Sequence, residues 1–363
     1  MNIRTATSVI NRQALLSNYQ TIKSLSPDSK VLAVLKANAY GHGLVLIAKA
    51  LAEGDTQPDA FGVARLDEAL QLRSAGIVKP IVLLEGFFDA DDVEILAANN
   101  LQTVIHNQQQ LDYLVEAQLE NPLKVWLKID TGMHRLGINP EEFNTFTSQL
   151  TTSKNVQDDI VVMTHLACAD DIHDDKTDHQ LVLFTELTSG LTFERSCANS
   201  AGICAWPLAH QDWVRPGVML YGISPMLKQS ANELSLTPVM TLKSSLIAIR
   251  KIAKGESVGY GSSWKSQQAT TIGVVAIGYG DGYPRHAENG TPVLINNRMV
   301  PLIGRVSMDM ITVDLGEESF DKIGDIATLW GEGLPVEEVA QASGTIAYEL
   351  LCNITNRVKK EVI

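Results

Sequence analysis

Cysteine is scarce in this sequence. The four present are Cys168, Cys197, Cys204 and Cys352. Their spacings match no zinc pattern, so no metal site is expected. Long hydrophobic runs are missing too, since no stretch approaches the ~20 apolar residues that span a bilayer. The opening MNIRTATSVINRQALLSNYQ has no continuous apolar region and no cleavage signal. That points away from export and towards a cytoplasmic protein with reduced thiols. Positive charge is also in short supply. Lys and Arg number 29 against 42 Asp and Glu, a formal net charge of −13. No basic block occurs, which excludes nucleic acid and anionic membranes as partners. There is no solenoid-type repeat, no low-complexity tract and no long linker. The glycine fingerprint of a dinucleotide-binding first turn is absent as well.

The composition that remains is that of a soluble globular protein, with 45% hydrophobic and 20% charged residues over 363 positions. This length is too great for one ordinary core, and two domains are expected. Up to about residue 230, short apolar runs alternate with amphipathic segments. The runs are VLAVLK (31–36), AFGVA (60–64), PIVLLE (80–85), LQTVI (101–105), LKVWLKID (123–130), IVVMTH (160–165), FERSCA (193–198) and VMLYG (218–222). They are continuous rather than alternating, as in strands buried on both faces. Helical patterns lie between them, such as RLDEALQLRSAG ending on Gly76, and DADDVEILAANN with acidic residues at its start. About eight βα units imply an α/β fold, a (β/α)8 TIM barrel over residues 1–230. An open doubly wound sheet would alternate in the same way. From residue 231 to 363 the texture becomes strand-like. TPVMTLKSSLIAIRKI, TTIGVVAIGYG, TPVLINNRMVPLI and DIATLW are separated by Gly, Pro and Asn turns, and two short helices, PVEEVAQASG and TIAYELLCNI, lie near the end. A mainly β second domain is expected.

VLAVLKANAYGHG carries the most chemical information. Lys36 stands at the end of an apolar strand, and strand C-termini in a barrel face the active site. A partly desolvated amine there can act as a nucleophile and form a Schiff base with an aldehyde. On position alone, a surface lysine just past a strand end is equally consistent.

The stretch Val34-Leu35-Lys36-Ala37-Asn38-Ala39-Tyr40-Gly41-His42-Gly43 resembles the attachment signature for pyridoxal 5′-phosphate (PLP) in alanine racemases, PLP enzymes of fold type III. The likeness runs through VWLKIDTGMHRLG (125–137), MTHLACADD (163–171), CANSAG (197–202), VRPGVMLYG (214–222), VGYGSSW (258–264), IGYGDGYPR (277–285), GRVSMDM (304–310) and IAYELLCNITNRV (346–358). It implies a PLP-binding barrel followed by a β domain that contributes residues to the partner's active site in a homodimer. It implies that Lys36 carries PLP and is one of two bases acting on a PLP aldimine, with Tyr260 the other. Racemisation needs such a pair on opposite faces, and a phenol of ordinary pKa near ~10 needs help to act as a base. His165 then assists Tyr260, and Arg215 faces the pyridine nitrogen. A guanidinium keeps its proton, so that nitrogen stays unprotonated, which favours racemisation over other PLP chemistry.

The likeness further places the phosphate among Tyr40, Asn199, Ser200, Gly217, Val218 and Tyr348, with backbone N–H groups of Ser200–Gly202 and Gly217–Val218 as donors. Arg135 would contact the cofactor and the substrate carboxylate, Met308 would donate a backbone N–H to that carboxylate, and Asp309 would orient its neighbours. Tyr279, Arg285 and Arg305 would line the entrance. Lys128 matches a lysine carbamylated in many relatives, whose anion positions Arg135. Taken singly, each residue has a plainer reading: a packed aromatic for Tyr260, a satisfied histidine for His165, a surface ion pair for Arg215, a simple turn for 199–202. Three activities remain open: an alanine racemase supplying D-alanine for peptidoglycan (or a relative accepting other small amino acids), a PLP decarboxylase, and a non-catalytic PLP carrier. Arg215 argues against the second and Tyr260 against the third.

Overall fold

The structure, a computed structural model, describes residues 4–363. Eight short strands close into a parallel barrel: Lys30–Val34, Ala60–Val63, Ile81–Leu83, Gln102–Ile105, Val125–Lys128, Val161–Met163, Glu194–Ser196 and Trp213–Val214. Lys30↔Trp213 and Val31↔Val214 close the ring. Residues on one face of each strand fill the barrel and those on the other meet the surrounding helices, which is why the runs read as continuously apolar. The core cluster takes Leu32, Ala60, Val82, Val104, Trp126, Val161, Met163 and Trp213 from seven of the strands. Trp126 and Trp213 meet edge to face at 5.1 Å. Their indole N–H groups donate to Gln102 Oε1 at 2.9 Å and Glu194 Oε2 at 2.8 Å. Lys30 pairs with Glu194, and Lys124 with Asp159 and Glu194. These partners sit at the N-terminal ends of strands, so charge is neutralised at that end and the opposite rim is left for chemistry.

One expected strand is not a strand. VMLYG forms a buried 3₁₀ turn, Val218–Tyr221, closed by Gly222 at φ +79°. A short apolar run does not distinguish a buried helical turn from a strand. The eighth strand is instead Trp213–Val214, too short to register as a run.

The chain divides into two compact units. One spans Leu16–Leu236; the other joins the described residues up to Leu15 to Thr237–Ile363. The expected barrel of 1–230 therefore loses its N-terminal segment. The cause is long-range pairing: Thr7–Ile10 lies antiparallel to Met240–Ile252 and parallel to Lys359–Val362. The second unit is an eight-stranded, mostly antiparallel sheet. Its hairpin from Pro292–Ile295 to Arg298–Ile303 turns on Asn296 and Asn297 at φ +48° and +60°, the conformation that Asn tolerates in a two-residue turn. Two short helices, Val336–Ala342 and Ala347–Cys352, stand where the turn pattern put them. Among the described residues no helix is long and apolar enough to cross a membrane.

Candidate active site

The strand Lys30–Val34 ends two residues before Lys36. The next turn has an unusual backbone. Ala37, Asn38, Ala39 and Tyr40 all have positive φ, between +51° and +55°, and Gly41.N–H closes the turn on Ala37 C=O at 3.0 Å. Four consecutive non-glycine residues in the left-handed region are sterically unfavourable, and only surrounding contacts can hold them there. Those contacts are identifiable. Tyr40 packs against Tyr221 with ring centres 4.7 Å apart and planes tilted by 31°, and Tyr221 against His42 at 4.6 Å and 33°. The Tyr221 hydroxyl donates to Val34 C=O at 3.0 Å, and His42 Nδ1 lies 2.8 Å from Tyr40 C=O. Asn38 Oδ1 accepts from Leu44.N–H at 2.8 Å. Lys36 is thereby fixed at the C-terminal rim, half-buried, its amine making no hydrogen bond or ion pair among the described residues.

Tyr40, Ser200 and Gly217 are brought together beside this turn. A Cβ on Gly217 would lie 2.5 Å from the Tyr40 hydroxyl, so only glycine allows this approach. Ser200 Oγ accepts from Gly217.N–H at 2.9 Å. Asn199 caps the turn Ser200–Ala205 by accepting from Gly202.N–H at 2.9 Å. That N–H, expected as a phosphate donor, is therefore committed to the cap. The Gly217 N–H is likewise committed to Ser200, so the two hydroxyls and the Val218 N–H form the small neutral cradle that a phosphate's oxygens suit.

Arg215 is 4% exposed and among the described residues has no carboxylate partner. It donates from Nη1 to Ser196 Oγ at 2.5 Å, and from Nη2 to Thr164 C=O at 2.6 Å and Cys197 C=O at 3.2 Å. Burial lowers its pKa to about 10, which still leaves it a cation at neutral pH. Lys128, at the end of its strand, is 6% exposed. Burial, followed by the charges of Arg215, Arg135 and Lys36, brings its pKa down to about 8. His165 follows the strand Val161–Met163. Burial and the same cations push its pKa well below the usual range, so the ring is neutral at physiological pH. Its ring makes no hydrogen bond to Arg215 among the described residues.

Arg135 is exposed on the loop between Ile129 and Ile138, which doubles back so tightly that a Cβ on Gly137 would meet Asp130 N at 2.4 Å. The remaining expected residues belong to the β unit. Tyr260, 70% exposed, opens a short turn between Gly259 and Gly261, both at positive φ. Met308 and Tyr279 are exposed on two loops joined by Tyr279.N–H to Ser307 C=O at 3.0 Å and Gly280.N–H to Met308 C=O at 2.9 Å. Arg357 holds Asp309 at 2.7 Å, which fixes the second loop. Arg285 and Arg305 are exposed, and Tyr348 lies on the helix Ala347–Cys352. Three residues escaped sequence reasoning: Tyr221, His42 and Ser196. Tyr221 and His42 lay inside recognised motifs, but only their contacts reveal what they support.

A parallel barrel whose rim gathers a lysine, a buried arginine and an anion cradle, joined to a β unit, is the frame of an enzyme handling small anionic molecules through an amine. Family profiles described as the N-terminal and C-terminal domains of alanine racemase match residues 10–225 and 239–362. The alanine racemase of Vibrio cholerae serotype O1 is 54% identical over 357 residues, covering 98% of each chain. The solved biosynthetic alanine racemase of Pseudomonas aeruginosa is 43% identical with a TM-score of 0.95, covering 99% of this chain and 100% of that one. The Bartonella henselae alanine racemase, solved with covalently bound pyridoxal phosphate, is 31% identical with a TM-score of 0.89, covering 99% of each chain. The chain belongs to the alanine racemase family. It is an isomerase, and its reaction is the interconversion of L- and D-alanine.

Proposed function

We propose that the enzyme carries PLP on Lys36 and moves the Cα proton of alanine between Lys36 and Tyr260, the latter supplied by a second copy of the chain. The observation that carries this reading is the convergence on one barrel rim of Lys36, the Tyr40–Ser200–Gly217 cradle and Arg215. PLP, when bound, withdraws electrons from the Cα–H bond and makes it acidic. The Lys36 amine takes or returns the proton on one face. The Tyr260 hydroxyl serves the other, with neutral His165 as its acceptor or relay. Tyr40, Ser200 and the Val218 N–H would hold the phosphate, Gly217 making room for Tyr40 and orienting Ser200, with Tyr348 as a further donor. Asn199 contributes by capping the turn that carries Ser200. Arg215 would face the ring nitrogen of the bound cofactor as a guanidinium that keeps its proton, so the ring would withdraw electrons only weakly and side reactions would be suppressed. Arg135 and the Met308 N–H bind the substrate carboxylate.

Lys128 is proposed to be carbamylated. Its lowered pKa enlarges the fraction of neutral amine, which adds to carbon dioxide as one proton leaves, and the anion formed offsets the cations around it. Homodimerisation is supported by the exposure of Tyr260, Met308 and Tyr279 on the β unit. The D-alanine produced in the cytoplasm would supply peptidoglycan.

Purified protein should be yellow, absorbing near ~420 nm as a PLP Schiff base does. It should exchange the Cα hydrogen of L-alanine for deuterium while yielding D-alanine. Tyr260→Phe should keep PLP and lose racemisation. A Tyr260→Phe enzyme working at the native rate removes the second base from this scheme.

A further inference from the structure

Arg215 presents an unusual arrangement, a fully buried guanidinium whose acceptors are all neutral. Two of the three are backbone carbonyls, of Thr164 and Cys197, which no side-chain change can remove. The third is the hydroxyl of Ser196, itself fully buried at the end of the strand Glu194–Ser196. A serine hydroxyl can rotate, but here it has one orientation available. Its own proton goes to Trp213 C=O at 3.0 Å, across the pair Ser196↔Trp213 that joins the last two barrel strands. With the proton spent, an oxygen lone pair is left facing Nη1 of Arg215 at 2.5 Å. The backbone of Arg215 is tied independently, because its N–H donates to Ala198 C=O at 2.9 Å. Removing the Ser196 hydroxyl would therefore leave the guanidinium held through Nη2 alone, able to pivot about those two carbonyl bonds and turn its Nε and Nη1 donors, while the main chain stays anchored. Among the described residues, the Nε–H and the second Nη1–H of Arg215 have no acceptor, so they are the donors that this lock aims.

We propose that Ser196 is a positioning residue for Arg215, fixing the direction of its uncommitted N–H donors and keeping its surroundings free of a carboxylate. This rests on the reading that Arg215 faces the cofactor, and it adds to that reading the residue on which its aim depends. A carboxylate in place of Ser196 would satisfy the guanidinium more strongly, but it would draw the guanidinium towards itself and partly cancel its field at the ring.

The test uses the full-length enzyme and four preparations: wild type, Ser196→Ala, Ser196→Thr and Arg215→Ala. Three properties are read on each: the dissociation constant for PLP on the stripped protein, the thermal midpoint of that stripped protein, and kcat and KM for alanine. Ser196→Ala should weaken PLP binding and lower kcat by roughly 10- to 100-fold together, the factor associated with a hydrogen bond to a charged group. KM for alanine should change less than about twofold. Ser196→Thr keeps the hydroxyl and should restore most of both properties. If Ser196→Ala binds PLP and turns over as the wild type does, the inference is wrong. If it loses activity only in step with a lowered thermal midpoint and Thr does not rescue it, Ser196 merely closes the barrel and the inference is again wrong. Arg215→Ala separates the two levels. If PLP affinity is unchanged in Arg215→Ala, the reading of Arg215 itself fails. If it falls in Arg215→Ala but not in Ser196→Ala, only the role of Ser196 fails.

Discussion

Replacing Ala37 by glycine should stabilise the protein and slow the enzyme. Ala37 sits at φ +55°, ψ +52°, the first of four left-handed residues after Lys36. A Cβ in that region costs roughly 1–2 kcal/mol, and glycine escapes the cost. Glycine also adds unfolded-state entropy, a penalty of about 0.5–1 kcal/mol. Ala37 is exposed, so its methyl contributes little packing to lose. The balance is a gain of about 0.5–1 kcal/mol. Ala39, equally left-handed but fully buried, provides the control. Deleting its methyl forfeits about 0.8 kcal/mol of burial, so Ala39→Gly should be close to neutral. Urea unfolding of the stripped protein at one fixed concentration is the assay. Ala37→Gly should raise the midpoint by roughly 0.2–0.5 M at unchanged slope. The relaxed turn should hold Lys36 less rigidly, and kcat should fall several-fold. A drop in midpoint, as ordinary Ala→Gly exchanges give, would mean that the turn carries no strain and that the argument is mistaken.

Gly217→Ala would press a methyl against the Tyr40 hydroxyl at 2.5 Å. It should weaken PLP binding at least ~10-fold, read by titrating the stripped protein, because Tyr40 must leave the cradle. Lys128→Met should stabilise protein prepared without bicarbonate by at most about 3 kcal/mol at pH 7. The fall in pKa from 10.5 to about 8 means that the buried ammonium is carried at full cost below pH 8. Activity should fall in the same variant, and native protein prepared with bicarbonate should gain the mass of one carbon dioxide. Acid should destabilise the fold before any carboxylate titrates. His165 and His106 are both shifted down by burial, so below the unfolded value near ~6.5 the unfolded chain takes up protons that the folded chain refuses. Urea midpoints should therefore fall between pH 7 and pH 5.5, and a flat profile would contradict the neutral assignment of these rings.

The barrel was legible because its strands are buried on both faces and their apolar runs are unbroken. Seven of the eight runs hold a strand, and the failure at VMLYG is instructive. Val218–Tyr221 is as buried as any strand, yet Gly217 and Gly222 bracket a helical turn. The allegiance of Thr7–Ile10 could not be read locally, because it is set by pairing with strands more than two hundred residues away. The site was legible in its residue types and not in its supports. Lys36, Arg215 and Tyr40 stand in recognisable motifs. Nothing in the string Ala-Asn-Ala-Tyr announces a left-handed turn, since none of the four is glycine; Tyr221, His42 and Asn38 impose it through contacts. Ser196 was hidden for the same reason, being one polar residue inside a run that read as strand.

The two ends of the barrel differ in how they treat charge, and this bears on why the site is built as it is. At the N-terminal end Lys30 and Lys124 face Glu194 and Asp159, so each cation has an anion. At the C-terminal end Lys36, Arg135 and Arg215 all bear on Lys128 and, with it, on His165, and among the described residues Asp130 opposes them at Lys128. Such an excess lowers the stability of the empty fold, since burial and these cations together hold the pKa values of Lys128 and His165 down. It is relieved by whatever anions bind there. A phosphate in the neutral Tyr40–Ser200–Gly217 cradle and a substrate carboxylate near Arg135 would supply that charge from outside the chain. Glu85 at this end is engaged with Arg65, and among the described residues no carboxylate pairs with Lys128 or Arg215. Arg215 is thus left with neutral partners only, and its uncommitted donors stay available to a ligand. Stability withheld from the empty enzyme returns as affinity for anions, by the linkage that makes any ligand binding only the folded state a stabiliser of it.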